Sequence, residues 1–152
     1  MQISTVLIPV LGVLGGAYIG GYLSNKSQQE SIKQNAEIEN LRQRKHEIIQ
    51  TLEVYNSVLK IDGESLLVTP AGGTFVDFET ELYQEGIRPL LYEKFHLIHS
   101  DVADIVRKMD QRIADCMFNE ETEDTDHDYL IKQYVDLIHR IQNHLKDYRD
   151  RF

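Results

Sequence analysis

Residues 3–23 run for 21 positions without one Asp, Glu, Lys, Arg or His, and beyond them apolar positions alternate with charged ones. At ~1.5 Å of helical rise per residue, the opening segment reaches roughly 30 Å, the thickness of a bilayer's hydrocarbon core. A globular core helix has no need of such length, because one of its faces must meet water. A cleaved secretory peptide would begin with basic residues and carry a shorter apolar run of ~7–15 residues. No Lys or Arg precedes this run. The pattern predicts a transmembrane helix over residues 1–24.

A capping box, Ser27 with Glu30, predicts a fresh helical start just past the span. Residues 25–37 are polar on every side and read as a stalk. An apolar seam then appears at alternating spacings of three and four: Ile38, Leu41, Ile48, Leu52, Tyr55 and Leu59, with Lys45 as its one polar interruption. Such a heptad stripe either closes a bundle or pairs chains. Gly63, Thr69-Pro70 and Gly72-Gly73 predict a loop over residues 62–74. A short helix is expected from Phe75 to Glu85, stopping at Gly86.

From Pro89, placed as a helix's first turn tolerates it, the same alternation runs through Leu91, Phe95, Ile98, Val102, Ile105, Met109 and Cys116. It predicts one long helix. Residues 119–128 carry six carboxylates and read as a loop. Leu130, Tyr134, Leu137, Ile141, Leu145, Tyr148 and Phe152 form the stripe of a last helix. The expected fold is all-α: an N-terminal transmembrane helix, a helical stalk, and a small antiparallel three- to four-helix cytosolic bundle over residues 38–152.

Charge sets orientation and excludes partners. Lys26 and Lys33 follow the span and no base precedes it, so the N-terminus is expected outside and the bundle in the cytoplasm, at a bacterial inner membrane. That topology leaves the Asn25-Lys26-Ser27 glycosylation triplet on the cytosolic side, so it carries no weight. The chain's net charge is −9, and from residue 62 onward ten bases face twenty acids. Phosphate backbones would repel such a domain, which excludes nucleic acid as a partner. Within the span, Gly12, Gly16 and Gly20 recur every four residues on one helix face, where a second backbone can approach closely. They predict span-to-span packing, with a second copy or with a partner membrane protein.

Candidate chemistry is thin. Glu93 with His96, and Asp136 with His139, match the spacing of carboxylate-bridged metal bundles. If Leu91 and Phe95 face inward, Glu93 and His96 face out, and the second pair diverges in the same way. His96, His99, His139 and His144 could meet only if the last two helices lie side by side, and no cysteine accompanies them. The acidic stretch 119–128 lacks the glycine and terminal glutamate of a calcium loop. Arg42, Arg44 and Lys45 lie too far along a continuous helix for lipid headgroups. Cys116, the lone cysteine, reads as a small packed thiol. No phosphate loop, nucleophile elbow or paired CxxC occurs, so no cofactor, metal or catalytic residue is expected.

The opening segment, residues 7–20 with Pro9, Gly12, Gly15 and Gly16, followed by a charged helix, resembles small bacterial single-span membrane proteins. Those carry an N-terminal anchor, a charged helical stalk and a cytosolic helical domain. The resemblance covers the anchor and stalk only. It implies a protein anchored in the membrane by one N-terminal span, and some members of that class resemble membrane effectors of phage-defence or toxin systems. Two functions are expected from these readings: a non-enzymatic interaction and oligomerisation protein presenting an acidic bundle, or a membrane-perturbing effector whose spans cluster. A metal-dependent helical enzyme is the third and least supported.

Overall fold

The structure, a computed structural model, describes residues 4–72, 75–119 and 123–151, with side chains from Gln28 onward apart from those of residues 70–72 and 75. The protein is mostly helical, as the periodicity predicts, with one small hairpin. Helix α1 spans Ser4–Glu64. Strands β1, Val68–Gly72, and β2, Phe75–Phe78, follow as an antiparallel pair. Then come α2, Thr80–Leu82, a π-helical turn, Tyr83–Ile87, and α3, Arg88–Glu93. Helices α4, Ser100–Asn119, and α5, Asp124–Asp150, complete the chain.

The chain divides into two compact units, Met1–Lys45 and His46–Phe152. In the first, every described side chain is exposed. Among the described residues no helix is long and apolar enough to cross a membrane. The expected span of residues 1–24, with Gly12, Gly16 and Gly20, lies outside the described side chains.

The second unit holds the core. Tyr55 and Val58 of α1, Ile87 and Leu91 before and in α3, Val102, Val106 and Met109 of α4, and Leu137 and Ile141 of α5 have no exposed surface. Helices α4 and α5 run antiparallel: Asp101 meets His144 at one end and Arg112 meets Asp126 at the other. Tyr55 stacks near His144 while Asp62 accepts a hydrogen bond from Tyr134, so this part of α1 is also antiparallel to α5. Between α3 and α4, Asp110 accepts from Arg88 Nε at 2.9 Å and from the Tyr92 hydroxyl at 2.6 Å. The Arg88 guanidinium lies 4.5 Å above the Tyr92 ring, so the same cation serves both contacts.

Five expectations need correction. The capping box at Ser27 and Glu30 starts no new helix, because α1 runs through it without a break. The loop of residues 62–74 is partly helix and partly strand: α1 continues to Glu64, and Val68 pairs with Phe78 in the hairpin. Pro70 lacks an N–H, which a ladder of only two strands tolerates at its open edge. The expected helix from Phe75 begins only at Thr80, because Phe75, Val76 and Phe78 favour an extended backbone. Phe78 turns inward onto the rings of Tyr83 and Tyr134, at 5.9 and 5.7 Å, which anchors the strand to the core.

Gly86 does not end a helix; it sits inside the π turn that leads into α3. Pro89 cannot donate to the Glu85 carbonyl and its ring would press on it, which a widened turn relieves. The long helix expected from Pro89 is interrupted at Lys94 and restarts at Ser100. Phe95 stacks on Tyr92 with centroids 4.6 Å apart, and Asp101 Oδ1 takes the Val102 N–H to open α4. Finally, the acidic stretch begins a helix. Glu123 and Asp126 form a reciprocal capping box for α5, and carboxylates in a first turn favour the positive end of the helix dipole.

Candidate interaction surface

The heptad residues of α1 separate into two groups. Tyr55 is fully buried, and Leu52 and Leu59 pack against the core. Ile38, Leu41 and Ile48, in the same register, are 48%, 66% and 47% exposed. Scattered exposed apolar side chains are ordinary on a soluble surface. These three are not scattered. They repeat at the spacing that buries their neighbours further along the helix, so they form an unpartnered stripe.

Where the buried part of the seam begins, polar groups from three elements meet. The Tyr55 hydroxyl, on α1, accepts the His99 backbone N–H at 3.0 Å and lies 2.8 Å from His99 Nδ1. A hydroxyl oxygen already accepting a bond can turn its own proton toward Nδ1, which leaves His99 neutral with its proton on Nε2. The His99 ring stacks on His144 of α5, with centroids 3.6 Å apart and planes 10° from parallel. His144 Nε2 donates to Asp101 at 3.0 and 3.2 Å, and Arg140 reaches the same carboxylate at 3.8 Å. One α1 turn earlier, the buried Thr51 hydroxyl bonds Glu47 O at 2.9 Å and lies 3.2 Å from Leu97 O.

This environment moves protons in defined directions. Burial, then the neighbouring His144, holds the His99 imidazole below its ordinary value. Burial pushes the Tyr55 hydroxyl up to about 12. Burial also raises the Asp101 carboxyl, but the His144 hydrogen bond, the Val102 N–H and Arg140 outweigh it and leave it below the usual carboxylate range. The result is a network of neutral ring, neutral phenol and paired carboxylate. It fastens α1 to α4 and α5.

The other candidate groups do not converge. Glu93, His96 and His139 are exposed, and Asp136 pairs with Arg140 at 3.3 Å. Of the four histidines considered together, only His99 and His144 meet, ring face to ring face. Among the described residues no group of His, Cys, Asp or Glu is arranged to hold a metal. A polar cleft of about 270 Å³ near the start of α5 is lined by Arg112, Cys116 and Asp126 among others. Burial and then the Asp126 carboxylate push the Cys116 thiol up, away from the reactive thiolate.

Among the described residues Arg42 pairs within its own helix, 3.9 Å from Glu39, with both side chains about three-quarters exposed. Sequence reasoning missed the Tyr55–His99–His144 junction, although a tyrosine in an apolar heptad seam signals a hydroxyl that needs a buried partner. No family model matches this chain, and no curated protein or solved structure was found similar to it.

Proposed function

We propose that this protein is a membrane-anchored, non-enzymatic interaction protein that works as an oligomer and presents an acidic helical domain on the cytoplasmic face. The supporting observation is the exposed heptad stripe: Ile38, Leu41 and Ile48 keep the register of Leu52, Tyr55 and Leu59, yet among the described residues they stay about half exposed or more. The uncharged opening segment supplies the anchor, and Gly12, Gly16 and Gly20 supply a face on which spans can pack. The titratable groups of the bundle tie helices to one another, which suits a scaffold rather than a catalyst. Lipid bilayer and further copies of the chain are its partners in this reading, and nucleic acid is not.

Ultracentrifugation of detergent-free lysates tests the anchor, with the intact chain expected in the membrane pellet. Sizing in mild detergent tests the oligomer. A soluble, monomeric full-length chain overturns the proposal. Membrane depolarisation on expression would replace simple anchoring with the effector function.

A further inference from the structure

We propose that the partner of the exposed α1 stripe is a second copy of this chain, paired in parallel as a two-stranded coiled coil over residues 31–48. This deepens the anchored-oligomer reading above and rests on it. Ile38 and Lys45 occupy the a positions and Leu41 and Ile48 the d positions of the register. A β-branched residue at a with leucine at d favours two strands in parallel pairs. A single lysine at a sets register and oligomer number at a cost in stability, since a larger core would bring three or more ammonium groups together.

The flanking charges choose the direction. Glu37 falls at g and Arg42 at the following e, so in a parallel pair each Glu37 meets the other chain's Arg42, twice per dimer. An antiparallel pair on the same seam matches e with e and g with g, so Glu37 no longer meets Arg42, and two chains anchored in one membrane by the same end run in the same direction. Among the described residues Arg42 makes an exposed contact to Glu39 at 3.9 Å, which holds it weakly.

Length sets the condition under which the pair forms. Stable coiled coils sustain their pattern over about three or four heptads, and this stripe has three apolar positions. Two copies anchored side by side in one membrane meet at the high effective concentration of a tethered pair, which offsets the short seam. The pairing therefore depends on anchoring.

The test uses the full-length chain in native membranes, with Cys116→Ser as background and mild oxidation as readout. Ile38→Cys and Leu41→Cys are expected to give disulfide-linked dimers. Ala36→Cys, on the outer f position, is expected to give at least about tenfold less. Adding Glu37→Arg or Arg42→Glu to Leu41→Cys is expected to lower the dimer yield about fivefold, and combining both reversals to restore it. Positions 36, 37, 38, 41 and 42 are all exposed, so the fold does not depend on them, and serine keeps a donor for Asp126 at the half-buried Cys116.

Equal crosslinking at 36, 38 and 41, or no recovery in the double reversal, overturns the parallel seam. No crosslinking at 38 or 41 while detergent sizing still shows an oligomer overturns the seam but leaves the anchored oligomer standing. A chain that is monomeric in detergent and uncrosslinked in membranes removes both.

Discussion

Tyr55 and His99 are joined twice, once through the histidine's backbone N–H and once through its ring nitrogen, and this pair fixes α1 to the start of α4. The two residues are 44 positions apart. Tyr55 has no exposed surface, so its hydroxyl relies on these two bonds. Tyr55→Phe keeps the ring packing and deletes both bonds, leaving the His99 N–H without its acceptor. The expected loss is about 1–2 kcal/mol, read as a lower midpoint of urea unfolding. An unchanged midpoint would show that the junction contributes nothing.

The same junction predicts a pH dependence. His99 is held below its ordinary 6.5 in the fold, so near that pH the unfolded chain takes up a proton that the folded chain refuses. The stability contributed by neutral His99 is therefore complete above about pH 6.5 and declines as pH falls toward its lowered folded value. The groups facing it are Tyr55 from α1, Asp101 from α4, His144 and Arg140 from α5, and Arg151 beyond α5. Asp101 is depressed as well, and its contribution fades only below the ordinary 3.8. Two separate losses are expected on acidification, and His99→Gln should abolish the upper one. Following the His99 ring resonance by NMR checks the assignment directly: a midpoint at or above 6.5 contradicts it.

The seams of α1 and α5 were legible because a 3.6-residue period at Tyr55 and Leu59, or at Leu130, Tyr134, Leu137 and Ile141, marks the face a helix buries. The interruption between Glu93 and Ser100 was not, because Phe95 and Ile98 keep helical spacing by coincidence while the backbone turns through them. The hairpin was hidden by its own Pro70 and glycines, which read as loop signals, although Phe75, Val76 and Phe78 beside them favour strands. Carboxylates at 123–126 looked like a solvated loop because composition was weighed without position. At a helix's first turn the same charges stabilise it. The stacked histidines depend on which ends of α4 and α5 meet, which no local pattern encodes.

Tyr83 predicts a stabilising substitution. Its side chain is fully buried, and its hydroxyl finds no hydrogen-bond partner among the described residues. Burial, reinforced by the charge of Asp110, pushes that hydroxyl far above its ordinary value, so it stays protonated and unpaired. An unsatisfied buried donor costs about 1–3 kcal/mol. Tyr83→Phe removes the polar atom and keeps the ring contact with Phe78, and is expected to raise the thermal midpoint. A drop would reveal a partner for the hydroxyl.

Gly86 gives the last prediction, and its sign follows from space rather than backbone. A Cβ built there would sit 3.7 and 3.8 Å from the Ile61 side chain, ordinary van der Waals contact, and the residue's φ is not in the left-handed region. Nothing in the π turn therefore requires glycine. Gly86→Ala should reduce the freedom of the unfolded chain and add a methyl contact to α1, for a gain of about 0.4–1 kcal/mol. Denaturant unfolding should show a higher midpoint with an unchanged slope. A loss instead would mean that the Ile61 side chain cannot accommodate the added methyl.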